Sequence, residues 1–567
     1  INQGAYSLTI NGNFDCGLYK VFVDTGTILF GIDSIKESYP EWFGFISNGG
    51  TGNATANTSA INRAIISYKK VKLNNCNTYI NSKIVLRQYG SILEGNNSLS
   101  KLTAYRTTAT DSFAMIMSYS RVNGTTDVCS EIITNLELDC AGQALTEVNL
   151  GTMNIDNASG IHLRYADYSV IENVKISNAG LASVTIEWCN HCIINKCTSI
   201  SNGYIPFPNF TDPTLSVKEN GNAFSGVDGS YNKITNSYAY QSRDLGFTFW
   251  NDQNGLIDNC TTSTTLTSVV TANGRGGASI ESNSANCKIS NCKIDNCTIG
   301  IFVASPKAVI ENNNVVTCLT GINVVDTSDE CFISGNVVTY PASGTGISVM
   351  MSKNITIANN ILNNYYNIFS TANEGILVYN NKLISTNTVA SVLIYNTLNS
   401  NAKFKNNIFT GKFAYGIQVS NVSQISILDN MFIGGSDFGV GISLDDSNYV
   451  MIKQNIITSD PISGYNPQFS IYVSAVSASN NITIENNTIS GYTVSDSTNP
   501  YGISTQSTTP IIFKHTDLTR TLLDPNAHIY AGVGSVIKGT DVTRGMKMYV
   551  KTGTGNTGWV ANYYSLT

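Results

Sequence analysis

The sequence is poor in charge. Asp, Glu, Lys and Arg make up 13% of its 567 residues, about half the roughly one quarter usual in globular domains. With 33 basic against 39 acidic residues and a formal net charge of −6, there is no basic block of the kind that displaces counterions from nucleic acid, so nucleic acid is not expected as a partner. No apolar stretch reaches 18 residues, and the first ten, INQGAYSLTI, carry neither a basic nor an apolar signal region; a soluble chain with no membrane partner is expected. The 13 Cys are odd in number and spread along a long chain, which favours neither a disulfide scaffold nor a metal cage. The Cys189, Cys192 and Cys197 cluster lacks His ligands at metal spacing. No Gly-rich loop follows a strand and opens a helix, so nucleotide chemistry has no support. No cofactor and no metal are implied.

Asn is abundant, with 69 residues, and Gly supplies 47. Short apolar-x-Asn motifs recur from VIENV near 170 to TIENN near 483. Their apolar anchors are Ile171, Ile194, Ile234, Ile257, Ile289, Ile310, Ile333, Ile357, Val378, Phe404, Leu428, Ile452 and Ile484, and nine of the twelve gaps are 21 to 26 residues. Two residues beyond the anchor stands Asn in ten of thirteen cases, including Asn173, Asn236, Asn259, Asn312, Asn406 and Asn430. The runs between are Ile- and Val-rich, alternate apolar with polar and break at Gly, Asn and Ser, which is the pattern of short strands. A period near 23 built from strands and turns alone predicts a parallel β-helix, an all-β solenoid whose coils stack about 4.8 Å apart. A leucine-rich repeat would need a helical segment in each repeat, and none is present. Asn tolerates left-handed backbone and can bond to its copies above and below, so one Asn per coil makes a ladder at a turn. Cys197, Cys260 and Cys292, three beyond their anchors, share a column with Val174, as small apolar residues inside a coil would.

The ends differ. TSAINRAIISYKK predicts a capping helix at about 58–70, behind a Thr/Ser start. The expected organisation is an N-terminal neck segment at 1–57, the β-helix at 58–515 and a small C-terminal β module at 516–567 that closes the solenoid or joins chains.

Excess length in a solenoid must leave the coil as loops, where function tends to sit. Long anchor gaps place such loops at 203–221 and 265–277, on neighbouring coils. In the strands GIHLR, SVTIE, FSGVD, GFTFW and ASIES, Ile161 and Leu163 face inward, so His162 and Arg164 face outward. The same register gives an outward column of Arg164, Glu187, Asp228 (or Val227, if that coil is one residue shorter), Trp250 and Glu281. Close in sequence lie Trp188, Tyr204, Tyr231, Arg243, Asp244, Asp252 and Arg275. Rings, carboxylates and guanidinium forks together suit a carbohydrate site: rings stack on sugar faces and charged groups bond hydroxyls or acidic substituents. Glycoside hydrolysis needs two carboxyl groups roughly 5 to 9.5 Å apart; Glu187 and Asp228 rank first as that pair, with Glu281 and Asp244 as alternatives. His162, Arg164, Trp188, Tyr204, Tyr231, Arg243, Trp250, Asp252 and Arg275 are the expected substrate-binding residues. The competing chemistry is β-elimination from a uronic acid, using a base and cations drawn from Arg164, Arg243, Arg275, His162 and nearby Tyr.

The segment YPEWFG at 39–44 followed by TSAINRAI at 58–65 resembles the start of the β-helix in bacteriophage tailspike proteins, and GSVIKGTDVTRGMKMYVKTGTGNTGWV resembles the C-terminal units of phage tail fibres and spikes. The resemblance departs at ISNGGTGNATANTSAI, which lacks the Gly-Asp-Gly and paired Asp typical of that start. It implies a right-handed β-helix in a homotrimer, carried on the virion tail, that binds and cuts a capsular or O-antigen polysaccharide at the host surface. It also implies attachment to the tail or baseplate through an N-terminal part not recognisable here. The expected activity is that of an endo-acting depolymerase, hydrolase rather than lyase; a noncatalytic receptor-binding spike is the alternative from another class.

Overall fold

The computed structural model describes residues 6–23, 26–87, 90–105, 113–126, 129–140, 159–180, 182–202, 221–242, 244–263, 276–385, 390–395, 401–434, 440–458, 469–474, 481–490, 503–505, 511–514, 517–518, 536–541, 545–552 and 559–564. The chain divides into two compact units, residues 1–298 and 299–567.

In the first unit, Pro40–Phe43 forms a single 3₁₀ turn that Gly44 ends at φ +94°, a left-handed angle that glycine adopts without strain. Trp42 of that turn is buried against Phe14, Phe30 and Tyr39, with ring centroids 5.2 to 5.6 Å apart. Helix α1 (Ala54–Ser67) follows, four residues ahead of its expected start. Asn57 explains the earlier start: it is buried, accepts a bond from the Ile46 amide at 2.8 Å and donates to Thr78 Oγ1 at 2.6 Å, tying the first helical turn to the sheet. Lys69 and Lys70 leave the helix because the strand Lys70–Lys72 pairs with Ile92–Glu94, where Lys70 bridges Glu37 and Glu94. A five-residue helix, α2 (Tyr119–Asn123), precedes the regular coils.

Each regular coil supplies three short strands. Val184–Glu187, Ile193–Asn195 and Thr198–Ile200 pair in parallel with Phe224–Val227, Lys233–Thr235 and Tyr238–Tyr240 of the following coil. Ile171, Ile194, Ile234, Ile257 and Ile289 stack inward and are almost fully buried, each stabilising the fold by about 1.5–3 kcal/mol. The strands that position the site are β1 (Ile161–Arg164), β2 (Val184–Glu187), β3 (Phe224–Val227), β4 (Phe247–Trp250) and β5 (Gly276–Glu281).

In the second unit the same pattern continues through parallel coils from Ile299–Val303 to Asp517–Leu518. The Asn positions two beyond each anchor are left-handed in both units, from Asn173 at φ +53° to Asn486 at φ +53°. One anchor is corrected. Ile427, not Leu428, pairs with Phe404 and Ile452, so Asp429 holds the left-handed turn and Asn430 falls one place later. That later column points inward. It holds Val174, Cys197, Ser237, Cys260 and Cys292 in the first unit, and in the second it becomes a buried amide ladder through Asn336, Asn360, Asn381, Asn407, Asn430, Asn455 and Asn487. Thiol and amide do related work there: Cys197 Sγ lies 3.4 Å from the Ile171 carbonyl, where Asn336 Nδ2 donates to the Ile310 carbonyl at 3.0 Å. All thirteen Cys are thiols and all but Cys16 are buried.

One outward row of the second unit is apolar. Val337, Ile361, Ile408 and Ile456, with Lys382 and Met431 between them in register, are each about two fifths exposed. The last described strands, Val536–Asp541, Gly545–Lys551 and Trp559–Tyr564, form an antiparallel meander, whose first strand also pairs in parallel with Ile511–Lys514. Among the described residues no helix is long and apolar enough to cross a membrane.

Candidate functional site

The register of β1 to β5 fixes the outward column. Arg164 lies beside Glu187, Glu187 beside Val227, Val227 beside Trp250, and Trp250 beside Glu281. The shorter coil is therefore the one present, and Asp228 stands one residue later. It belongs to a left-handed turn column with Tyr165, Trp188, Asn251 and Ser282, all at φ between +51° and +58°. The 40-residue gap before Ile234 hid that single step from the count. Bulky side chains in left-handed backbone cost on the order of 1–3 kcal/mol each, so two aromatic rings at this turn are worth explaining.

Their contacts supply part of the explanation. The rings of Tyr165 and Trp188 lie 5.1 Å apart, and the Arg164 guanidinium sits 3.9 Å above the Trp188 ring and 5.2 Å from Tyr165. The same Arg164 holds Nε 3.9 Å from Glu187 Oε2. Its backbone is anchored by Ser118, whose hydroxyl accepts from the Arg164 amide at 2.9 Å and donates to its carbonyl at 3.1 Å. Ser118 follows the strand Ile116–Met117, which pairs in parallel with β1, and leads into α2, so the preceding coil braces this rung.

Glu187 is the centre of the cluster. Its Oε2 is 3.1 Å from His162 Nε2. Burial pushes its carboxyl up, but the His162 hydrogen bond and the charges of His162, Arg121 and Arg164 outweigh that, and its pKa lies below the ordinary glutamate value. About a fifth of its side chain is open to solvent, so an ionised carboxylate reaches the surface beside a ring platform. His162 does not. It faces outward in the alternation, as expected, yet it is fully buried, which corrects its reading as a direct substrate contact: it orients Glu187 from beneath.

The remaining carboxylates occupy different settings. Asp228 is half-buried and accepts a 2.6 Å bond from Asn251 Nδ2. Glu281 ends the column and Asp244 lies at the turn between the strand Tyr238–Tyr240 and β4; both are buried. Asp252 is corrected from surface to interior: it points into the coil with no exposure, in the column of Cys189, Gly229 and Ser284, where a Cβ on Gly226 or Gly229 would come within 2.9 Å of its carboxylate. Asn232 Nδ2 donates to it at 2.5 Å. Burial, helped by the nearby Asp228 charge, pushes its pKa up to about 7. Trp250 is nearly half exposed, at 47%, next to Glu281. Tyr231 is exposed and stacks on His191. Tyr204, Arg243, Arg275 and nearly all of the 203–221 and 265–277 loops lie outside the described residues. Among the described residues no group of three His, Cys, Asp or Glu could hold a metal ion.

Sequence reasoning missed Tyr165, Tyr168 and His191 as parts of this surface, and Arg121. The first three were legible in principle: they sit one and four residues beyond the outward column positions Arg164 and Glu187. Arg121 was not, because it arrives from outside the repeat.

Comparison with known families matches residues 159–338 and 321–443 to a family model described as "Right handed beta helix region". No curated protein matches the sequence. Among solved structures, ORF18 of Geobacillus virus E2 aligns with a TM-score of 0.43 and 14% identity over 57% of this chain, and the chain spans 60% of that protein's length. The tailspike gp61 of Pseudomonas phage phi297 aligns at 0.39 and 9% identity over 81% of each chain. PfbA, a surface adhesin of Streptococcus pneumoniae, aligns at 0.35 and 11% identity over 93% of this chain and 99% of its own.

Proposed function

The chain belongs to the right-handed beta helix family, and from that premise we propose that it is a homotrimeric phage tailspike that recognises a bacterial capsular or O-antigen polysaccharide and depolymerises it by endo-glycosidic hydrolysis. The observation that carries this reading is the ionised Glu187 set beside the Arg164, Tyr165 and Trp188 platform on adjoining coils. The segments at 39–44 and 58–65 and the C-terminal tail support the tailspike assignment, and with it action at the host surface from the virion tail.

In hydrolysis one carboxylate takes a proton from water or attacks the anomeric carbon, while a second, protonated, delivers its proton to the departing oxygen. Glu187, held below the usual glutamate range, is suited to the first role. Asp228, on the next coil beside Trp188 and one residue past the position in register with Glu187, is the first candidate for the second, with Glu281 beside Trp250 and Asp244 as alternatives. Trp250 would stack on a sugar face. A second reading, β-elimination from a uronic acid, is favoured by one specific feature: Arg164 and His162 beside Glu187 resemble a base flanked by cations that stabilise an enolate.

The test separates cutting from binding. Purified capsular and O-antigen polysaccharides are screened, and the polymer that is cut is then assayed with Glu187→Gln and Asp228→Asn. Both variants should bind it and lose cutting. Normal cutting by both would remove the proposed pair, and binding without cutting by the wild type would make the protein a receptor-binding spike.

A further inference from the structure

Three coils carry a second set of rings. Tyr168, His191 and Tyr231 stack in line along successive coils, with centroids 5.0 Å apart at each step and planes within 4° of parallel. All three are exposed, Tyr168 at 64% and Tyr231 at 51%. Each occupies a left-handed turn position at φ +56° to +58°. The turn itself does not require a ring there: in the next two coils the same column holds Asn254 and Asn286, also left-handed, the residue type that tolerates this backbone best. The rings therefore occur on the coils of Arg164, Glu187 and Asp228 and are replaced by amides beyond them.

The ladder is rigid and contiguous with the site. Tyr168 and His191 lie on the same turns as Tyr165 and Trp188, three residues further along. Beneath the rings, the Asn190 backbone N–H donates to Asp167 Oδ1 at 2.7 Å, and Ser230 Oγ donates to Asn190 Oδ1 at 2.6 Å. The backbone amides of Tyr168, His191 and Tyr231 each donate to the coil that follows, at 2.7 to 3.0 Å. A stacked ring is already fixed in one rotamer, so a ligand that binds along it loses little further side-chain freedom. The outward edges present a hydroxyl, an imidazole and a second hydroxyl, one per coil, with apolar ring rims between them. That alternation of hydrogen-bonding groups and C–H surface suits a chain of sugars, whose own edges alternate hydroxyls with C–H patches.

We propose that the Tyr168–His191–Tyr231 ladder is a distal glycan-binding ridge that holds sugar units of the polymer beyond the linkage cut at Glu187. The inference rests on the glycan reading of the site. It makes the ladder a determinant of polymer length preference rather than of the chemical step.

The experiment combines Tyr168→Asn, His191→Asn and Tyr231→Asn, which place at each turn the residue the column itself holds in the two coils that follow, with thermal melting to confirm that the fold is kept. On the polymer identified by the screen, the triple variant should raise KM by about tenfold, equivalent to 1.4 kcal/mol of binding, and raise it less for the shortest fragment still cut. Titration of the intact polymer into Glu187→Gln with and without the three Asn substitutions should show the same weakening. Equal affinity of the two proteins for the polymer overturns the ridge, as does unchanged polymer KM accompanied by a changed sedimentation coefficient, which would mark the rings as a protein contact. A wild-type chain that neither binds nor cuts any polymer in the screen fails the underlying glycan reading instead. Should the triple variant unfold, Tyr168→Asn alone, at the end of the stack, is measured by the same titration against the same criterion.

Discussion

Glu187 owes its ionised state to its neighbours: burial alone would raise its pKa, and His162, Arg121 and Arg164 reverse the sign. Activity that depends on its carboxylate should persist down to pH values below 4.5, the ordinary glutamate value, and fall only as pH drops through the depressed pKa. In a pH–rate profile, His162→Gln should move that acid limb upward; an unmoved limb would show that another group sets it. Asp252 has the opposite shift. Its native pKa near 7 lies above the ordinary 3.8, so the folded protein holds a proton there that the unfolded chain releases between those values. Stability from this group is full below pH 3.8, declines as pH rises and is lost above about 7. Asp252→Asn should accordingly stabilise the protein at pH 8, by no more than roughly 4 kcal/mol, and hardly at all at pH 4. Denaturant melts of both proteins at the two pH values check it, and equal melts at pH 8 would contradict it.

At the scale of the element, the inner column shows how one position in the coil can be filled in two ways. In the second unit each ladder Asn accepts from the amide and side chain of the preceding rung and donates to the next, as Asn407 does with Asn381 and Asn430. Removing that side chain takes away the acceptor of the buried Asn381 backbone amide and the amide donated to the Val378 carbonyl. Asn407→Ala should cost about 3 kcal/mol or more, measurable as a lowered denaturant midpoint, whereas a change under about 0.5 kcal/mol would mean the ladder follows the backbone without holding it. The sequence made the outer Asn column legible because its spacing repeats, and it made the coil and its strands legible for the same reason. It did not reveal the inner ladder, because that column reads Val, Cys and Ser through the first unit and turns to Asn only in the second, often directly after an Asn of the outer column. Long insertions were the other obstacle: the loop after Ile200 hid whether Val227 or Asp228 follows Glu187, and the pairing of Val227 with both Glu187 and Trp250 resolves it. Burial was invisible for the same kind of reason. Alternation places His162 on the outer face correctly but says nothing of what covers it, and Asp252 reads as a surface carboxylate until Gly226 and Gly229 are seen to make room for it.

At the scale of the whole molecule, the outward row of Val337, Ile361, Ile408 and Ile456, interrupted by Lys382 and continued by Met431, exposes apolar surface along the second unit, an arrangement that monomeric proteins seldom leave uncovered. If copies associate as the tailspike reading requires, light scattering should give a molar mass three times the 61.1 kDa of one chain, and Ile361→Lys with Ile408→Lys should shift it toward one chain. A monomeric wild type would contradict the trimer. The central claim concerns chemistry at Glu187, and mass spectrometry of the fragments released from the identified polysaccharide tests it most directly. The account expects one added water for every linkage cut, and loss of those fragments by a factor of about 10² or more in Glu187→Gln. Fragments lacking that water and carrying a double bond, or undiminished release by the variant, would contradict it.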